Sequence, residues 1–280
     1  MKKAVNISLN NFDDSLKEQI IAVKNSGFQG VFFDWTDTEE FKETVAFARD
    51  NGLEIASIHA PFDHVCDMWN EEKPEIFHKL IKCINDCGKL NIKTLVCHVY
   101  IGFDTLARVT DIGIKNFSLL IDEAEKYDLN LAFENTEGVE CLYGIKKHLS
   151  HRKNCGFCID TGHELCYNGG KDMMALYGEK LCHTHFNDNF GVYDPNMTWE
   201  NDFHLTMGDG LVDWKNVMDR IDASSYEGVL MCELTRGNPP QWHTHDRYAA
   251  MPLEDYYAFA LSRMRAVMDR TLVSNPIEVK

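Results

Sequence analysis

A single (β/α)8 TIM barrel of the α/β class, spanning residues 1–280, is the fold that three features of this sequence predict. Eight short apolar or β-branched runs take turns with stretches of helical spacing. The length fits the roughly 250 residues of such barrels. No glycine-rich dinucleotide turn follows the first strand, as an open doubly wound sheet binding a nucleotide would carry.

In chain order, the strands are expected at 5–9, 30–34, 55–59, 94–98, 130–134, 156–160, 181–185 and 228–233. The first opens directly from Met1 without an apolar leader. The helix at 15–26 has Asp13, Asp14 or Ser15 before its first turn and Gly27 past its end, and the helix at 39–51 is stopped by Gly52. Helical spacing then recurs at 74–89, 112–126, 142–151, 172–177 and 214–221, and 253–269 closes the series. Linkers, low-complexity tracts and solenoid repeats are absent from the sequence. Two connections, at about 186–212 and 234–252, are too long for ordinary barrel loops and carry Tyr193, Trp199, Phe203, Trp242 and Tyr248. They belong to the C-terminal face of the strands, where barrel active sites are built, and read as a lid or substrate wall. Aromatic loops of this kind also suit a homo-oligomeric contact.

Composition narrows the function. The chain is 44% hydrophobic, enough for a full core, and no run reaches the ~18 apolar residues of a membrane span. A cytoplasmic protein without a membrane partner is expected. The ten cysteines fall within periodic apolar segments, Cys155 and Cys158 included, and read as buried reduced thiols. A formal charge of −16 argues against nucleic acid as a partner, because attraction to phosphates needs clustered Lys and Arg.

The chemistry sits at the strand ends. His59, His98, Glu134, Asp160, His185 and Glu233 each end, or directly follow, a separate strand, so closing the barrel aims six polar side chains into one mouth. Glu134, Asp160, His185 and Glu233 form a mixed oxygen and nitrogen set suited to a divalent ion: Mn²⁺, Mg²⁺, Co²⁺ or Zn²⁺. His163 follows Asp160 closely enough to turn back to the mouth. Asp202 and His204 come from the first long loop, with Gly208 and Gly210 giving the backbone room to turn. Glu140 reaches inward or faces solvent from a first helical turn, and Arg236 meets a substrate phosphate or pairs with an acidic neighbour. His183 shares a strand face with His185. His64, His78, His148 and His151 have no converging partners and read as surface residues.

Six segments carry a resemblance: Ser57-Ile58-His59-Ala60-Pro61, Phe133-Glu134-Asn135-Thr136, Cys158-Ile159-Asp160-Thr161-Gly162-His163, His185-Phe186-Asn187-Asp188-Asn189, Asp202-Phe203-His204 and Cys232-Glu233. Together they resemble the xylose isomerase-like barrel superfamily, which holds ketose 3-epimerases, other sugar isomerases and class II apurinic endonucleases. The epimerase resemblance implies one ion on Glu134, Asp160, His185 and Glu233. It also implies Glu134 and Glu233 as the catalytic pair that moves a proton next to a carbonyl through a metal-stabilised enediolate, with Glu140 and His163 on substrate oxygens. The substrate is then a small sugar or polyol. The arginine that ketose 3-epimerases place shortly after the metal-binding histidine is missing near Gly191, so their substrate does not carry over. The endonuclease resemblance implies three zinc ions, with His59, His98, His163, Asp202 and His204 added to the set, and a phosphodiester substrate. Four carboxylates against three divalent ions leave a positive site for an anion, whereas one or two ions suit a neutral sugar. A non-catalytic sugar-binding barrel is the remaining reading.

Overall fold

The computed structural model describes residues 1–8, 14–103, 106–196, 198–239 and 242–279. Eight strands lie side by side in the order β7-β6-β5-β4-β3-β2-β1-β8, all parallel where paired. They are β1 (Lys3–Asn6), β2 (Gly30–Asp34), β3 (Glu54–His59), β4 (Thr94–Cys97), β5 (Asn130–Glu134), β6 (Cys155–Asp160), β7 (Leu181–His185) and β8 (Leu230–Cys232). Between β7 and β8 the barrel closes beyond the strand ends. Phe186 bridges Cys232, its N–H donating to the Met231 carbonyl at 2.8 Å. The barrel of the (β/α)8 type is thus the fold observed.

Helices follow the strands: α1 (Leu16–Ser26), α2 (Glu39–Asp50), α3 (Glu75–Lys89), α4 (Asp111–Glu125), α5 (Val139–Leu149), α6 (Thr161–Cys166), α7 (Met173–Tyr177), α8 (Trp214–Ala223), α9 (Asp246–Ala249) and α10 (Leu253–Met268). Among the three start signals expected for α1, Ser15 takes the cap. Its hydroxyl accepts from the Glu18 N–H while Glu18 reaches back to the Ser15 N–H, a reciprocal capping box. Asp13 and Leu9 lie outside the described residues. Gly27 ends α1 at φ 99°, a left-handed turn that favours glycine.

Alternation along the strands separates two cores. Outward residues such as Val31, Phe33, Leu131, Phe133, Phe157 and Ile159 pack under the helices. A smaller inner cluster of Ala4, Phe32, Ala56, Val96, Ala132, Cys158 and Met231 fills the barrel. Because side chains repeat every second residue on one face, most of these inner residues sit two positions before a polar residue at the mouth. Phe32 precedes Asp34, Val96 precedes His98, Ala132 precedes Glu134, Cys158 precedes Asp160, and Met231 precedes Glu233. A small apolar plug therefore supports a ring of polar side chains. Among the described residues no helix is long and apolar enough to cross a membrane, and the ten cysteines are free thiols.

Candidate metal centre

Glu134, at the end of β5, is fully buried and lies at the middle of the mouth. Its Oε1 is 3.0 Å from His185 Nδ1 and 3.5 Å from His163 Nδ1; its Oε2 is 3.3 Å from His98 Nε2 and 3.7 Å from His59 Nε2. Four imidazoles from four different loops or strands thus face one carboxylate. His185 Nδ1 also lies 2.8 Å from Glu233 Oε2. Donor atoms of Glu134, Asp160, His185 and Glu233 fall within 4.8 Å of one another, and so do those of His59, His98 and Glu134, and of His163, Asp202 and His204. The nine residues expected at the mouth are together there. Cys158, expected to be an inert buried thiol, also has its sulfur within 4.8 Å of Glu134 and His185 donors.

Second contacts fix these side chains. Asp160 accepts from the His163 N–H and from the Asn187 amide, each at 2.7 Å. Asp202 Oδ2 lies 3.0 Å from His163 Nε2 and 2.8 Å from His204 Nε2. His204 holds a left-handed backbone at φ 46° and directs Nδ1 to the Glu233 carbonyl at 3.1 Å. His183, inside the barrel beneath His185, bonds Ser57 Oγ at 2.8 Å, and burial pushes its imidazole down to about 3. It serves as a neutral internal support.

The electrostatics follow from crowding. Burial opposes the charge of Glu134, but His185, His59 and His98 hold its carboxyl well below the usual range. Burial likewise opposes Glu233, and His185 with His204 brings it down to about 2. Asp160 is pushed up to about 6, by burial first and by Glu134 and Glu233 beyond that, against the pull of His163. The donor set fits a divalent cation: carboxylates and imidazoles converge in a largely buried pocket, where unpaired like charges are costly. Buried Glu134 Oε2, His185 Nε2, His163 Nδ1 and His98 Nδ1 have no hydrogen-bond partner among the described residues.

For two residues the sequence left two placements open. Helix α5 starts at Val139, so Glu140 stands in its exposed first turn rather than in the mouth. Arg236 is buried and spends its guanidinium on the carbonyls of Tyr248 at 3.0 Å, of Ala249 at 3.4 Å and of Met251, with Asp14 at 3.5 Å. The pairing with Asp14 is the second of the two readings, and the carbonyl contacts tie the guanidinium to the second long loop. That loop packs on the first: Trp242 meets Tyr193 edge-on at 5.3 Å, and His245 Nε2 bonds the Phe203 carbonyl at 2.8 Å. Trp199 is half exposed at the rim, as a substrate wall would be, whereas Phe203 and Tyr248 are interior.

Two acidic residues were overlooked at the sequence level. Asp34 ends β2 beside His59, its register partner in β3. Solvent reaches it through the cleft, yet the surrounding barrel pushes its carboxyl up, opposed chiefly by His59. Glu137, just beyond β5, accepts from Trp199 Nε1 at 2.6 Å. Ending a strand was the signal for Asp34, whereas nothing local foretold a partner for Glu137 sixty-two residues away.

The family model described as xylose isomerase-like TIM barrel matches residues 20–266. Over 196 residues the chain is 26% identical to an uncharacterized protein of Methanocaldococcus jannaschii, a match covering 63% of either chain and so less than two-thirds of that relative's length. Among solved structures, the IolI protein with a bound zinc atom is similar at TM-score 0.73 and 18% identity, over 97% of this chain and 99% of that one. D-psicose 3-epimerase from Clostridium cellulolyticum H10, solved with D-tagatose, is similar at TM-score 0.67 and 14% identity, over 96% and 99%. At such identities the structural likeness concerns the fold.

Proposed function

The chain belongs to the xylose isomerase-like TIM barrel family, and from that premise we propose that it is a divalent-metal-dependent isomerase or epimerase of a small sugar or polyol. The reading is carried by one observation: Glu134 and Glu233, from strands three apart around the barrel, both reach His185 Nδ1, at 3.0 and 2.8 Å. Glu134, Asp160, His185 and Glu233 would hold a Mn²⁺, Zn²⁺, Mg²⁺ or Co²⁺ ion, which when bound polarises a substrate carbonyl and acidifies the adjacent C–H. The proton work belongs to the chain. Glu134 and Glu233 would act as the acid–base pair: the ionised one removes the proton, and its partner, entering protonated, returns one to the substrate carbon. His163, held by Asp202 through Nε2, would offer Nδ1 to a substrate oxygen. The two long loops restrict water around the carbanionic carbon.

Solvent deuterium exchange tests this. Metal-loaded protein in D2O should wash deuterium into one carbon of at least one ketose, aldose or inosose-like polyol. Absence of exchange across such a panel overturns the reading.

A second reading has its own support: the His59–His98–Glu134 and His163–Asp202–His204 groups offer sites for two further ions. A zinc-dependent phosphodiester hydrolase of the apurinic endonuclease type would use them. Asp34 weakens that reading, since a fifth carboxylate lowers the net charge of a three-ion mouth from +2 to +1. Three zinc ions per chain, with cleavage of duplex DNA at an abasic site, would favour it.

A further inference from the structure

The ring of Phe32 lies 4.8 Å from that of His185 and 5.9 Å from that of His59, so it points into the barrel. Asp34 is two residues further along the same strand and shares that face. It stands level with His59 at the mouth. No hydrogen bond to its carboxylate is made by any described residue. It also lines a cavity of about 210 Å³ over the ends of β1 and β2, whose polar wall is Ser8, Asp34, Thr36, Glu40 and Thr44. Among the described residues, that wall contains two carboxylates and three hydroxyls, and neither Lys nor Arg.

Resting on the isomerase reading above, we infer that Asp34 determines specificity: its carboxylate accepts hydrogen bonds from hydroxyls on the non-reacting part of an unphosphorylated sugar or polyol and excludes phosphorylated ones. An ionised carboxylate offers two oxygens and accepts from a vicinal diol, a charge-assisted arrangement roughly twice as strong as a neutral one. A phosphate dianion entering the same cavity meets Asp34 and Glu40 with no cation among the described residues of the wall. Arg236, the cation nearest in sequence to Glu233, is committed to loop carbonyls and Asp14. Asp34 is the residue this cavity shares with the mouth, where the reacting carbons would lie at Glu134 and Glu233.

Calorimetric binding of a panel of hexitols and their 6-phosphates to Mn²⁺-loaded protein tests this without turnover. The wild type should bind its preferred hexitol at least about tenfold tighter than the corresponding phosphate. Asp34→Asn should weaken hexitol binding about tenfold and narrow that preference. The inference is overturned if the phosphate binds as tightly as the hexitol, if no hexitol binds, or if a folded Asp34→Asn protein binds hexitol as the wild type does. The wild-type comparison stands even if the variant does not fold. Deuterium exchange into a free ketose with KM unchanged in Asp34→Asn would overturn this inference and leave the isomerase reading intact. Asp34-dependent hexitol binding with no exchange on any sugar would do the reverse.

Discussion

The side-chain amide of Asn187 donates to Asp160 Oδ2 at 2.7 Å, while the other oxygen of the same carboxylate takes the His163 N–H. Asp160 is thereby fixed in plane before any ion arrives. Gly162 permits it, since a Cβ there would fall 1.9 Å from Asn187 Oδ1. Asn187→Ala should lower divalent-metal affinity by about 10- to 100-fold, the usual range for losing such a support. Gly162→Ala should act in the same direction by displacing the amide. Competition with a chromogenic chelator measures both, and unchanged affinity would show that Asp160 needs no orientation.

His59 and His98 bring their Nε2 atoms within 3.2 Å of each other and both face Glu134 Oε2. Under the isomerase reading they line the pocket, and the double variant His59→Ala/His98→Ala keeps its ion on Glu134, Asp160, His185 and Glu233. Elemental analysis should then give the same number of ions per chain in wild type and variant. A drop in zinc count in the variant would assign the pair to a second ion and favour the hydrolase.

Period-two alternation made most of this site legible, because a parallel strand that ends in a polar residue delivers it to the mouth whatever the loops do. The bounds of β2, β5 and β7 match the expected ones, and β3 and β6 begin one residue earlier. Strand β8 is shorter than expected, Leu230–Cys232, since its closure against β7 is made by Phe186 past the regular ladder. The same alternation should have revealed Asp34 behind Phe32. Long-range pairings were beyond it: Arg236 takes carbonyls from 248, 249 and 251, and its role depends on how a loop folds back. The start of α5 at Val139 instead of 142 moved Glu140 out to solvent, a boundary shift that periodicity alone does not resolve.

Arg236→Ala removes donors to the Tyr248, Ala249 and Met251 carbonyls from a buried position. Leaving a buried acceptor unsatisfied costs about 1–3 kcal/mol, so with three carbonyls losing their donor a loss of at least about 3 kcal/mol of stability is expected. Arg236→Lys should recover little, because one ammonium cannot span three carbonyls as the planar guanidinium does. Urea unfolding of the two variants checks this. A stability equal to the wild type, with altered affinity for phosphorylated ligands, would return Arg236 to a substrate-binding role.

His245 joins the two long loops and carries a pH dependence that can be isolated. Its Nε2–H donates to the Phe203 carbonyl and its Nδ1 accepts from the Thr244 hydroxyl, both at 2.8 Å, so the ring is held neutral. Burial pushes the imidazole down to about 4, with the Phe203 bond opposing that shift. In the unfolded chain the same group titrates near 6.5. Between those values the unfolded state binds a proton that the folded state refuses, so stability contributed by neutral His245 is full above about pH 6.5 and is lost as pH falls towards 4. The loss amounts to about 3 kcal/mol at most. Protonation changes elsewhere in the protein act on both forms alike, and the difference between wild type and His245→Gln removes them. Melting temperatures of metal-loaded wild type and variant, measured from pH 7 to pH 4.5, should converge as pH falls, with the variant the less stable at pH 7. Parallel curves would mean that His245 is charged in the folded protein and that the junction between the loops is held by some other contact.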